Sequence, residues 1–200
     1  MLQPGTTPDL LSGFSLADIQ YLADNNPSLR GYLQGYLAEL KLKSLLESFP
    51  GVGSIEKIPD CSSDKGDFRV GYKGSTIVVE SKSFRSYSRR TNTLTESWEA
   101  SVDCKNPGSR VLEVEGRGQV RSSCIEERRF DVLAVCTWPV TGTWTFLFAP
   151  EAFLPRALDM PGFLQSRLRV DPVTTPGFFW DPEAAFDLAL SLKSSAKIRY

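Results

Sequence analysis

The run "RFDVLAVCTW", Arg129 to Trp138, constrains the fold more than any other stretch of this chain. Between Val132 and Cys136 it has no polar residue, so a strand there has no face to turn to water and must be covered on both sides. A second apolar run, "TGTWTFLFAP", returns from it after a glycine turn. A strand covered on both faces needs a layer above it and a layer below. That predicts an α/β (α+β) sandwich around a central mixed sheet flanked by helices.

At 200 residues and 41% hydrophobic content the chain can bury one sizeable core. It has no internal repeat or low-complexity tract, so it reads as a single domain over 1–200. Within it, helices occupy 1–50, a sheet with an insertion at 85–125 occupies 51–150, and a proline-rich segment and helix occupy 151–200. Nothing approaches the roughly 18 apolar residues of a membrane span. The opening "MLQPGTTPDLLSG" lacks the basic and apolar regions of a secretory signal. A cytoplasmic protein with no membrane partner is expected.

The chain contains no histidine. Ser-His-Asp hydrolases, Cys-His nucleophiles and histidine-based zinc enzymes or nucleases each need an imidazole, so these classes are excluded. Its four cysteines, Cys61, Cys104, Cys124 and Cys136, form no C-x-x-C pair, which argues against a structural zinc and a disulfide framework. Acid–base or metal chemistry must therefore run on carboxylates, lysine, tyrosine or water. Basic and acidic residues nearly cancel, 23 against 24, so only local clusters of charge can recognise a partner.

A short helix is expected over Leu16 to Ala23, broken at "NNP", where Asn26 can cap and Pro27 can open a second helix. That helix should run to about Ser48 with Leu29, Leu33, Tyr36, Leu37, Leu40 and Leu45 on its apolar stripe. Strands are expected at roughly Gly53 to Pro59, Asp67 to Tyr72 and Ser75 to Phe84. The stretch 85–125 is polar and glycine-interrupted, with a second hairpin in "RVLEVEGRGQVRSSC". A last helix should span Pro182 to Ser194, with Asp181 as its N-cap.

"GDFRVGYKGSTIVVESKS", Gly66 to Ser83, raises the chemical question. With Lys73-Gly74 as a two-residue loop, Phe68 faces Val79 and Val70 faces Ile77 on one apolar side, while Asp67 falls opposite Glu80 on the other. Side chains opposed in this way sit about 4.5–5.5 Å apart, and like charges so placed destabilise a sheet. A cation between them removes the conflict. Lys82, two residues beyond Glu80, shares its face. Two hard-oxygen ligands suit Mg²⁺, and an ammonium beside the ion can help stabilise and orient an attacking water. The set fits phosphate-ester hydrolysis.

Glycine-aspartate, an apolar strand, a tight turn and then Glu80-Ser81-Lys82 resembles the PD-(D/E)xK motif of the restriction-endonuclease-like nucleases. The resemblance runs from about Asn26 to Phe84, with weaker agreement at "FDVLAV", Phe130 to Val135. Gly66 stands where the motif name has proline. The resemblance implies that Asp67 and Glu80 hold Mg²⁺, with Mn²⁺ as a substitute, and that Lys82 assists the attacking water. Glu39, in "GYLAELKLKSLL", looks like the glutamate that members carry on the helix before the sheet, a further catalytic and metal-site residue. A chain of this size resembles a type II restriction endonuclease. Double-stranded DNA as substrate, a homodimer cutting both strands, and a partner methyltransferase acting on the same site are then expected.

Each feature has a plainer reading. Asp67, Glu80 and Lys82 could staple an exposed hairpin, where surface ion pairs contribute little, but "TIVVES" and "GDFRV" are too apolar for a solvated ribbon. Glu39 could be one more solvated acid on an amphipathic helix. Arg85, Arg89 and Arg90 could be a solvated charge run, or phosphate contacts placed just after the candidate catalytic strand, with Tyr87 stacking or packing beside them. The hairpin within 85–125 is the candidate for target recognition through a groove. Asp131 reads as a strand-start residue or ion-pair partner, and Trp138, Trp144, Phe178, Phe179 and Trp180 read as core. Repair, junction-resolving and RNA-directed nucleases share the same core and remain alternatives. So does a catalytically inactive DNA-binding module, although a dead site has no reason to keep two opposed carboxylates.

Overall fold

Lys73 and Gly74 both have positive φ, 47° and 79°, which makes the turn between the second and third strands one of the tight hairpin forms whose twist matches a sheet. A lysine is uncommon in that conformation. Here its Nζ is held by Asp187 at 2.8 Å and Glu183 at 3.0 Å. The expected register follows: Phe68 pairs with Val79 and Val70 with Ile77.

The structure is a computed structural model and describes residues 13–60, 66–85, 88–94, 97–114 and 118–197. In chain order the elements are α1 (Leu16–Asn25), α2 (Pro27–Glu47), β1 (Val52–Lys57), β2 (Phe68–Tyr72), β3 (Ser75–Ser83), β4 (Arg90–Asn92), β5 (Ser97–Asp103), β6 (Lys105–Val114) and β7 (Gly118–Cys124). There follow β8 (Val132–Cys136), α3 (Trp138–Thr141), β9 (Phe146–Pro150), β10 (Arg167–Val170) and α4 (Pro182–Lys197). No helix among the described residues is long and apolar enough to cross a membrane.

The chain divides into two units, residues 1–37 and 38–200. In the first, α1 is opened by a reciprocal cap: the Asp18 N–H donates to Ser15 Oγ at 3.1 Å and the Ser15 N–H donates to Asp18 Oδ2 at 2.8 Å. The second unit takes α2 from Ala38 onward together with every strand.

Five strands of the second unit form a mixed sheet in the order β1-β2-β3-β8-β9. Only the β3–β8 contact is parallel, with Glu80 beside Leu133 and Lys82 beside Val135. As the apolar run required, Val132 to Cys136 are all buried. Val132, Ala134 and Cys136 face one core with Phe68, Val70, Ile77 and Val79, covered by Ala38, Leu42 and Leu46 of α2 and by Ala185, Phe186 and Ala189 of α4. Leu133 and Val135 face a second core with Ala100 and Val102 of β5 and with Leu168 and Val170 of β10.

Three features depart from expectation. The buried row of α2 in the second unit is Ala38, Leu42 and Leu46, whereas Leu40 is 58% exposed. Leucines lie on more than one side of α2, and the row the sheet covers is one turn apart at each step. The segment 85–125 is not merely an irregular insertion: β5 lies within it, between β10 and β4 in a second sheet, and its buried residues close the far face. Among the aromatic residues expected in the core, Trp138 and Trp180 are exposed. Trp138 instead stacks on Trp144, with ring centroids 5.1 Å apart. The second hairpin forms as expected from β6 and β7, with Leu112 opposite Val120. Asp181 Oδ1 caps α4 by accepting from the Glu183 N–H at 2.9 Å.

Candidate active site

The site lies where β1, β2 and β3 come together, within the second unit. Gly66 sets its geometry. Its φ is +76°, and a Cβ there would fall 2.5 Å from Val78 Cγ1 and 3.1 Å from the Val79 carbonyl oxygen. Proline is locked near φ −65° and cannot adopt this conformation, which explains physically why this chain has glycine before the aspartate. The tight approach seats Asp67 against β3: its N–H donates to the Val79 carbonyl at 2.8 Å, and its Oδ2 accepts from the Ser81 N–H at 2.7 Å. The carboxylate is fixed by backbone, with Oδ1 turned the other way.

Glu80 follows from the period of β3. Ile77, Val79 and Ser81 are buried, and the alternate positions Val78, Glu80 and Lys82 point to the opposite face. Lys82 Nζ lies 2.5 Å from Glu80 Oε1, with side chains only 21% and 14% exposed. Burial pushes the Glu80 carboxyl above its ordinary range, and the Asp67 charge adds to that rise while Lys82 opposes it. Burial alone would lower the pKa of Lys82, but the charges of Glu80 and Asp67 outweigh it, so the group is held above the usual lysine range as an ammonium. Cys104 borders this pair, and burial pushes its thiol up to about 12, so it is no nucleophile.

Glu39 reaches the site from α2 and meets a lysine that sequence reasoning missed. Lys57, the last residue of β1, places Nζ 2.8 Å from Glu39 Oε2, 3.1 Å from Asp60 Oδ1 and 3.8 Å from Asp67 Oδ1. The same Nζ sits 5.5 Å from the centroid of the Phe68 ring. Burial raises the pKa of Glu39 and the Asp67 charge adds to it, against the hydrogen bond from Lys57. The only hint in the sequence was that "EKIPD" ends the strand adjacent to Asp67.

The remaining expected contacts are dispersed. Arg85 pairs with Asp103 at 3.2 Å, and Arg89 Nη1 donates to the Val140 carbonyl at 2.7 Å. Arg90 is exposed on β4, opposite Glu99. Tyr87 lies outside the described residues. Asp131, just before β8, is engaged elsewhere: its Oδ2 accepts from the Val78 N–H at 2.7 Å and from Lys193 at 2.6 Å, the strand-start and ion-pair role expected of it.

No protein-family model and no curated protein matches the sequence. Among solved structures, a bacterial homing endonuclease, I-Ssp6803I, aligns with a TM-score of 0.44 at 18% identity, covering 83% of this chain and 97% of that one. Likeness at that level leaves the chemistry to be argued from the residues themselves.

The donor set suits a hard divalent cation. Among the described residues no three acids, cysteines or histidines converge closely enough to enclose an ion. Mg²⁺ does not require such a cage, since it keeps several waters and is commonly held by one or two carboxylates plus phosphate oxygens. Asp67 and Glu80 would be that pair. Lys82 and Lys57 provide fixed positive charge on either side.

Proposed function

We propose that this chain is a Mg²⁺-dependent endodeoxyribonuclease that hydrolyses DNA phosphodiester bonds. The observation that carries this reading is that Asp67, hydrogen-bonded to β3 through the Val79 carbonyl and the Ser81 N–H, lies near enough to Glu80 for its charge to raise that carboxyl, with Lys82 paired to Glu80 on the same face of β3. Opposed carboxylates with an ammonium alongside are costly in a sheet unless a cation and a polyanionic substrate use them.

When bound, Mg²⁺ supplies a Lewis acid that polarises a phosphoryl oxygen and makes water a better nucleophile. Asp67 and Glu80 would hold it. The Ser81 N–H keeps Asp67 in orientation. Lys82, as an ammonium, donates hydrogen bonds that orient the attacking water and offset the negative charge growing on the phosphate. It takes up no proton in that state. Mn²⁺ has the same preference for oxygen ligands and substitutes for Mg²⁺ in this reading.

Within nucleases we favour a type II restriction enzyme working as a homodimer, because two-fold symmetric DNA is matched by a two-fold symmetric protein. A methyltransferase protecting the same sequence would accompany it. The β6–β7 hairpin is the element offered to a groove. Phosphate contact by Arg85 or Arg89 would exchange a protein partner for DNA, whereas Arg90 is already exposed on its strand. Incubating the purified protein with long unmethylated DNA and Mg²⁺ tests the reading. Discrete fragments support a restriction enzyme, a smear supports a nuclease of low specificity, and intact DNA refutes both.

A further inference from the structure

We infer that Lys57 occupies the place of a second cation in this site, so that each chain takes one divalent ion and Glu39 holds Lys57 rather than a metal. The inference rests on the nuclease reading of Asp67, Glu80 and Lys82 and deepens it. Where two ions assist phosphoryl transfer they lie about 3.5–4 Å apart and share carboxylates. The position such a partner ion would take beside Asp67 is already filled. Lys57 Nζ is within hydrogen-bonding distance of Glu39 and Asp60, lies 3.8 Å from Asp67 Oδ1, and rests over the buried Phe68 ring.

Charge balance points the same way. Among the described residues joined by these contacts, four carboxylates, Glu39, Asp60, Asp67 and Glu80, face two ammoniums, Lys57 and Lys82, which leaves a net charge of −2. One divalent ion neutralises it, and a second would leave the site as positive as it had been negative. Arg129, which also acts on Glu80, is paired with Glu126. Lys57 is therefore a positioning residue: it fixes Glu39 and the Oδ1 side of Asp67, and leaves Glu80 and Asp67 to share the single ion.

Mn²⁺ titration of the 200-residue chain, followed by calorimetry and by electron paramagnetic resonance, tests this. Wild type is expected to take one ion per chain with the spectrum of an isolated Mn²⁺. Lys57→Met and Lys57→Gln are expected to take two, with spin coupling between them, and Lys57→Arg is expected to return to one. Two ions or none in wild type overturns the inference whatever the variants do, as does an unchanged count in folded Lys57→Met and Lys57→Gln. A parallel plasmid-nicking assay separates the two levels. Nicking by a protein that binds two ions refutes the role of Lys57 and leaves the nuclease reading standing. One bound ion without nicking does the reverse.

Discussion

Lys82 Nζ and Glu80 Oε1 lie 2.5 Å apart on one face of β3, largely shielded from water. Removing one partner strands the other. Lys82→Met leaves a buried carboxylate without its counter-charge and should lower unfolding free energy by about 1–3 kcal/mol, measured by urea denaturation. The double variant Glu80→Gln/Lys82→Met should be less destabilised than Lys82→Met alone, because a neutral pair has no uncompensated charge.

Gly66 is a second point of strain control. Gly66→Ala places a Cβ into Val78 at a φ that side chains avoid, so a loss of roughly 1–3 kcal/mol in stability is expected. Because that contact seats Asp67, the same variant should also weaken divalent-ion binding, as read by calorimetry.

The exposure of α2 gives a direct comparison. Leu42 is fully buried and Leu40 is on the surface. Leu42→Ala should cost about 2–5 kcal/mol, and Leu40→Ala should fall within about 0.5 kcal/mol of wild type. Equal costs would mean that the helix buries a different row.

The β2–β3 turn is tied to α4 through Asp187, which holds Lys73 and accepts from the Tyr72 hydroxyl at 2.9 Å. Lys73 first, then Tyr72, keep the Asp187 carboxyl below its ordinary value of 3.8. A depressed folded-state pKa means that this contribution is present above pH 3.8 and disappears as pH falls through the lower folded value. Asp187→Asn should therefore be less stable than wild type at pH 7, with the difference shrinking in acid below pH 3.8. Thermal unfolding across that range checks it.

The sheet and the β2–β3 register were legible because their signals are local. Lys73-Gly74 determines the turn, and the turn determines the register that pairs Phe68 with Val79 and Val70 with Ile77. The apolar run at Val132 announced a strand covered on both faces, and Asp181 announced α4. What escaped notice depends on distant packing. The inward residues of β5, Ala100 and Val102, are small and stand among serine, glutamate and aspartate, so nothing marked them as the roof of a core. The apolar residues of α2 suit more than one face, and only the sheet decides among them. Lys57 reads as an ordinary strand-end lysine until Glu39 and Asp67 are seen converging on it.

The central claim, that Asp67, Glu80 and Lys82 form a metal-dependent nuclease centre, is tested most directly by nicking of supercoiled plasmid in Mg²⁺ by wild type and Lys82→Ala side by side. Wild type is expected to convert supercoiled plasmid to nicked and linear forms, to stop on chelation, and to lose about 10²–10³-fold in rate with Lys82→Ala. No cleavage by wild type, or equal cleavage by Lys82→Ala, would contradict the assignment.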